Sequence, residues 1–244
     1  MQAINVRNKL HLHGKKVILV LLLFVGFAAQ AQSFLWARKN NPYYDEKRKL
    51  TYGFLIGLHT TSYQIKYSDA FVTQLDTIFA VTPEWKPGFS LGFIVNYRVH
   101  DFVDLRLTPK VAFYEHSLLY RFTDGTSEKQ LVETTMVEFP VLVKYKSMRR
   151  GNVRMYMIGG VKPGIEASGK KEIENVTNSL EVTAMNFNLE AGLGFDLYFP
   201  LFKFSPEVRF SRGIVNHLDN QENKYGLPLR YINTNTITVY LLFQ

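Results

Sequence analysis

The sequence predicts an all-β fold: an antiparallel transmembrane β-barrel of about eight strands with a polar, plugged lumen. Three observations carry this expectation. Apolar and polar residues alternate with period two over segments of about ten residues or more. The connections between those segments alternate short and long. An export leader precedes them all.

The leader occupies residues 1–31. Arg7, Lys9, Lys15 and Lys16 form a positive stretch without an acid, and the apolar run 17–27 follows. That run is too short to cross a bilayer as a helix. Ala29-Gln30-Ala31 then places small residues where a signal peptidase needs them. The mature chain is expected to begin at Gln32. Removing the leader halves the formal net charge of +8, so a nucleic-acid partner is not expected from charge. Residues 32–50, with Lys39, Asn40, Asn41 and Pro42 and then the charged stretch 45–49, read as a periplasmic N-terminal extension. The barrel is expected over 51–244.

Composition agrees. Aromatic residues make up 14% of the chain, with 19 Phe and 14 Tyr, and flat side chains suit a pleated surface. The cysteine count is 0, which excludes a disulfide framework, a thiolate metal site and a cysteine nucleophile.

The strands follow in order. The first, near 52–66, sets Phe54, Ile56 and Leu58 on its apolar face. Next, Phe89, Leu91, Phe93, Val95 and Tyr97 oppose Ser90, Gly92, Asn96 and Arg98. Val103, Leu105, Leu107, Val111 and Phe113 oppose Asp104, Arg106, Thr108 and Lys110. Val137, Phe139, Val141, Val143 and Tyr145 oppose Glu138, Lys144 and Lys146. Val153, Met155, Met157, Val161 and Ile165 oppose Arg154, Tyr156, Lys162 and Glu166. The clearest segment, 185–199, separates Met185, Phe187, Leu189, Ala191, Leu193, Phe195, Leu197 and Phe199 from Asn186, Asn188, Glu190, Gly192, Gly194, Asp196 and Tyr198. Phe204, Pro206, Val208 and Phe210 alternate with Ser205, Glu207, Arg209 and Ser211. The last strand opposes Ile237, Val239, Leu241 and Phe243 to Thr234, Thr236, Thr238 and Tyr240. A helix would scatter these apolar groups around its cylinder, whereas a strand separates them cleanly.

Alternation alone does not say which face is inside. Strand length, aromatic residues near strand ends (Tyr97, Tyr145, Phe199, Phe204, Phe243) and the loop pattern favour a membrane barrel with apolar residues toward lipid. Connections near 99–102, 147–152 and 200–203 are short. Those near 67–86, 123–129, 169–184 and 218–229 are longer and more polar. An even strand count then places both termini in the periplasm, in the outer membrane. The alternative is a periplasmic or lipid-carrying closed barrel.

The inward set mixes charges: Arg98, Asp104, Arg106, Lys110, Glu138, Lys144, Arg154, Lys162, Glu190, Asp196, Glu207 and Arg209. Eight strands enclose only room for side chains, so these groups are expected as a salt-bridged plug. Glu190 and Asp196 could form an acid pair, with salt bridges as the simpler role. His59, His100, His116 and His217 lack metal-ligand spacing and are expected in turns or loops. Gly159, Gly160, Gly192 and Gly194 fall inside strands, where glycine marks bends or close backbone approach. The run Lys170-Lys171-Glu172 reads as a solvated loop, and Trp85 as a contact residue or a loop anchor. No catalytic, cofactor-binding or metal-ligating residue is assigned, and no enzyme activity or small-molecule substrate is expected.

Several segments resemble the PorT family of Bacteroidetes outer-membrane barrels, called SprT in gliding bacteria. They are the Ala29-Gln30-Ala31-Gln32 cleavage region, the strand from Glu138-Phe139-Pro140-Val141 through Lys144-Tyr145, Gly159-Gly160-Val161-Lys162-Pro163-Gly164 and Gly192-Leu193-Gly194-Phe195-Asp196. The resemblance covers most of the mature chain. It implies a component of the type IX secretion system, which exports proteases and adhesins, with other secretion subunits and outer-membrane lipid as partners and no catalytic motif. Two other functions remain: a generic structural or adhesive small barrel, and a barrel enzyme acting on lipids or glycolipids. The partner surfaces expected are residues 33–50 and the turn carrying Arg149 and Arg150.

Overall fold

The computed structural model describes residues 48–69, 71, 78–167, 183, 185–218 and 225–244. The leader, nearly all of the expected N-terminal extension and most of the connection 169–184 lie outside the described residues. The backbone forms β1 (Leu50–Tyr67), β2 (Ile78–Glu84), β3 (Lys86–His100), β4 (Val103–Leu107), β5 (Lys110–Phe122), β6 (Ser127–Glu138), β7 (Val141–Lys146), β8 (Val153–Glu166), β9 (Met185–Tyr198), β10 (Lys203–Gly213) and β11 (Leu229–Phe243).

Three consecutive pairs run on as single staves: β2 into β3, β4 into β5, and β6 into β7. The 11-stranded antiparallel sheet is therefore an 8-strand ring. β1 closes it. One side of β1 pairs with β11, from Phe54↔Phe243 to Tyr67↔Leu229, and the other with β3, from Leu50↔Tyr97 to Thr61↔Lys86. Closure leaves the ring without the open edge that hydrocarbon would not tolerate.

Prolines mark the breaks within staves. Pro109 and Pro140 have no N–H to give the ladder, yet their carbonyls stay in use. Phe93 N–H donates to Pro109 O (2.9 Å), Thr108 N–H to Pro140 O (3.0 Å), and Phe139 N–H to Pro163 O (2.9 Å). The two neighbouring interruptions, at Pro109 and Pro140, thus lie side by side without stranding a carbonyl.

Both described ends of the chain lie with the turns 101–102, 147–152 and 199–202. Leu50 pairs with Tyr97 beside the first, and Phe243 pairs with Phe204 beside the last. The strand ends Tyr67, Phe122, Glu166 and Gly213 lie at the opposite end.

Four of the expected boundaries need correction. The expected long connection 67–86 contains β2, which pairs with β5 from Ile78↔Phe122 to Glu84↔Ser117. A register shift between Ile78 and Ala80 breaks the alternation that would have revealed it. Pro83 hides it further, although proline is tolerated at a sheet edge. The expected loop 123–129 shrinks to the turn 123–126. Gly125 takes φ +84° there, and Asp124 Oδ1 accepts from Thr126 N–H at 2.8 Å. The residues Ser127, Glu128, Lys129 and Gln130 carry no apolar face, but they continue a ladder with β5 that runs from Lys110↔Glu138 to Arg121↔Ser127. Leu229, assigned to a loop, starts β11, and Leu50, assigned to the extension, starts β1.

The faces are inverted relative to a soluble protein. Leu58, Phe93, Tyr145, Met157, Leu193 and Val208 are all more than half exposed, while Arg106, Glu138, Lys144, Asp196 and Arg209 are buried. Apolar residues thus look outward and charges inward, the arrangement of a membrane barrel. On β5 the outward face turns from Val111 and Phe113 to Glu115, and on β6 from Val137 to Glu133. Ion pairs Lys86–Glu115 (3.2 Å) and Glu84–Lys129 (2.8 Å) gather at that level. Charge facing hydrocarbon is costly, so the lipid band stops near Phe89 and Phe113. The upper part of β2, β5 and β6 projects beyond it.

Candidate functional site

The lumen is where the sequence places its unusual residues. Inward positions alternate along every stave, so each strand contributes one charged group per two residues at most. The ring then juxtaposes charges from strands remote in sequence.

Four clusters result. Near the turn end Lys146 Nζ meets Asp104 Oδ1 at 2.5 Å. Above it Lys144 Nζ bonds both oxygens of Asp196, at 2.8 and 2.6 Å, and Ser205 Oγ donates to the same carboxylate at 2.7 Å. Glu207 is shared by two arginines: Arg106 Nη1 reaches Oε2 at 2.8 Å and Arg209 Nε contacts Oε1. Arg209 Nη1 also reaches Glu190 at 3.3 Å, and Arg106 Nε donates to Asn96 Oδ1 at 2.6 Å. Glu138 is likewise shared, by Lys110 and Lys162, both at 3.1 Å, and it accepts from Tyr114 Oη at 2.8 Å.

Aromatic rings separate the clusters. The ring of Tyr156 lies 3.7 Å from Lys144 Nζ, and that of Tyr240 lies 4.4 Å from the Arg209 guanidinium. These faces attract the cations that the carboxylates do not fully surround. Gly194 makes room for this layer, because a Cβ there would sit 2.5 Å from the Tyr156 ring.

Of the expected inward set, ten residues are buried in this network. Arg98 and Arg154 stay half-buried near the turn end. Glu190 and Asp196 do not form an acid pair. Each faces a different cation, Arg209 and Lys144.

Two of the histidines, His59 and His116, need correction. His59 lies within β1 and His116 within β5, and both are buried in the lumen. His217 lies in the connection after β10 and is buried as well. Only His100 ends its strand in an exposed position. His116 Nε2 lies 3.1 Å from Thr61 Oγ1, its ring stacks on Tyr63 at 4.3 Å, and His59 lies 4.5 Å from the Tyr114 ring. His116 and His217 line a cavity of about 30 Å³ together with Tyr63, Lys162, Asn186 and Asn188, room for about one water. Burial lowers the His217 imidazole below its usual range. Among the described residues no group of three His, Cys, Asp or Glu side chains is arranged to hold a metal ion. Single histidines scattered over the sequence gave no sign of this layer, since only ring closure brings β1, β5 and His217 together.

An apolar cluster of Tyr63, Ile78, Val81, Leu118, Tyr120, Tyr225 and Ile232 lies above the histidines. Outside the band, side-chain hydrogen bonds from Lys129 and Ser117 hold the Glu84 carboxyl below its usual range. From charged layers to apolar roof, the described lumen is filled with side chains. Purified protein in planar bilayers is therefore expected to show no steady conductance of porin size. A stable open channel would mean that these layers rearrange in the membrane.

No curated protein matches the chain. Among solved structures, it is similar to the outer membrane protein OprG from Pseudomonas aeruginosa at 16% identity, covering 81% of this chain and 96% of that one with a TM-score of 0.46. It is also similar to Neisserial surface protein A, at 12% identity, 80% and 98% coverage and a TM-score of 0.38. A third is the outer membrane enzyme PagL, at 10% identity, 75% and 97% coverage and a TM-score of 0.33. Residues 29–219 match the family described as outer membrane protein beta-barrel domain, and the chain belongs to that family of outer-membrane barrels.

Proposed function

We propose that this barrel is an accessory component of the type IX secretion system, assisting export of proteins such as proteases and adhesins without being their conduit. The observation that carries this reading is the filled lumen. Arg106, Glu207, Arg209, Lys144 and Asp196 occupy its centre, all buried, so a cargo protein has no path through it. The resemblance to the PorT family over the strands around Glu138–Tyr145, Gly159–Gly164 and Gly192–Asp196 supplies the system. The turn end carries both described ends of the chain and is assigned to the periplasm, and the opposite end to the cell exterior. The role is non-enzymatic in this reading, because the lumen carboxylates of Asp104, Glu138, Glu190, Asp196 and Glu207 each face a cation at salt-bridge distance.

Deleting the gene tests the proposal. Cargo is expected to accumulate in the periplasm and disappear from the medium, with recovery on complementation. Normal export from the deletion strain would remove the secretion role and leave a generic structural barrel.

A further inference from the structure

The sequence placed Arg149 and Arg150 together as one docking patch. The structure separates them. Arg149 is committed to its own turn. Its Nε donates to Gly151 O at 2.9 Å, its Nη2 to Asn152 Oδ1 at 3.1 Å, and its guanidinium lies 4.2 Å from the Tyr198 ring. Arg150 is exposed. Its backbone is held by Val153 through two bonds, Arg150 N–H to Val153 O at 2.9 Å and Val153 N–H to Arg150 O at 3.2 Å. Gly151, at φ +60°, completes the turn. A fixed backbone thus presents an exposed guanidinium at the foot of the barrel wall.

Beside it the outer wall is hollowed. A groove of about 870 Å³ runs up from the turn, lined by Met148, Met155, Phe195, Leu197 and Pro206 with Arg150 at its rim. The β9–β10 ladder skips Ser205 and Pro206, passing from Phe204↔Leu197 directly to Glu207↔Gly194. The Pro206 ring is low, and unbranched Met148 and Met155 adapt to what lies against them. The lining holds one cation and no acid.

We propose that this groove binds one anionic phospholipid of the leaflet at the turn end. Its phosphate would pair with Arg150 and an acyl chain would lie along Met155, Phe195 and Pro206. Charge complementarity selects an anionic headgroup, and guanidinium is suited to phosphate. The apolar length above the arginine selects a lipid over a free phosphate. Position agrees, since Tyr145 and the stacked pair Phe199–Phe202 (4.7 Å) lie at the same end and aromatic rings gather at the headgroup level. The assignment needs only a membrane barrel and does not rest on the secretion role.

The test uses the whole mature barrel, reconstituted with equal phosphatidylglycerol and phosphatidylcholine, extracted in mild detergent and weighed by native mass spectrometry. Folding of each variant is checked by the heat-dependent shift of the barrel on gels. Wild type is expected to retain phosphatidylglycerol over phosphatidylcholine by about fivefold, the scale of one cation at the membrane surface. Arg150→Ala should remove that preference. Met155→Trp, which fills the groove and stays apolar, should lower retention of both lipids. Arg230→Ala, at the opposite end, should change neither. Equal retention of the two lipids by wild type would overturn the proposal. So would an unchanged preference in Arg150→Ala, or the same loss in Arg230→Ala. Displacement of the lipid by inorganic phosphate would make the site a phosphate site. Unchanged lipid preference in Arg150→Ala with loss of a co-purifying protein would make the turn a protein-docking surface, and either result would remove the lipid.

Discussion

Glu207→Leu is expected to be the most damaging single change in the lumen. It removes the carboxylate that lies 2.8 Å from Arg106 and contacts Arg209, both buried. It also strips the Tyr156 hydroxyl of its acceptor. Arg209 keeps Glu190, but Arg106 keeps only the neutral Asn96 among these close contacts. Breaking a buried pair by removing one partner costs about 3–5 kcal/mol, because a buried charge is left uncompensated. Urea unfolding of the barrel in lipid vesicles should show that loss, together with a smaller heat-resistant band on gels. Adding Arg106→Met should recover part of it, since the orphaned charge goes too. Wild-type stability in Glu207→Leu would mean that water or another group reaches the arginines, and that the plug is looser than the described packing.

Leu193→Arg is expected to have the largest effect on the outer wall. Leu193 is 59% exposed, and its partners Met157 and Val208 face outward with it. A soluble protein would accept an arginine at so open a position. Here the exposure is to hydrocarbon, and arginine near the midplane costs about 2–4 kcal/mol. Assembly into the membrane should fall sharply. Ser127→Arg, on the projecting end of β6 beyond the lipid band, should assemble like wild type. Equal tolerance at the two positions would reverse the faces.

The two changes act on opposite faces of one wall, and those faces were legible in different degrees. Residues such as Phe187, Leu189, Leu193 and Phe195 could be put on one face from alternation, because a strand sends successive side chains to opposite sides, and strand length with the loop pattern turned that face outward. The same alternation put Arg106, Lys144, Asp196 and Glu207 inside. What it could not supply was partnership. Arg106 and Glu207 are far apart in sequence, and only the ring makes them neighbours. The upper parts of β5 and β6, with β2, were missed for a related reason. Above the lipid band both faces of the sheet meet polar surroundings or a small local core. The pattern that marks a membrane strand therefore stops although the hydrogen bonding continues. The histidines show the same limit. His59 and His116 sit on different strands, and although the alternation gives both inward parity, nothing local brings them into one layer.

By itself the sequence determined the export leader as an expectation, the all-β class, the strand number and the inversion of apolar and polar faces. Each of these rests on local chemistry: short-range composition, or the two-residue period of an extended chain. Tertiary structure alone decided how far β2, β5 and β6 stand above the membrane and which carboxylate each lumen cation meets. It also decided that Arg149 is spent on its own turn while Arg150 faces a groove. Those outcomes depend on register and closure, which set contacts between strands that no local pattern encodes.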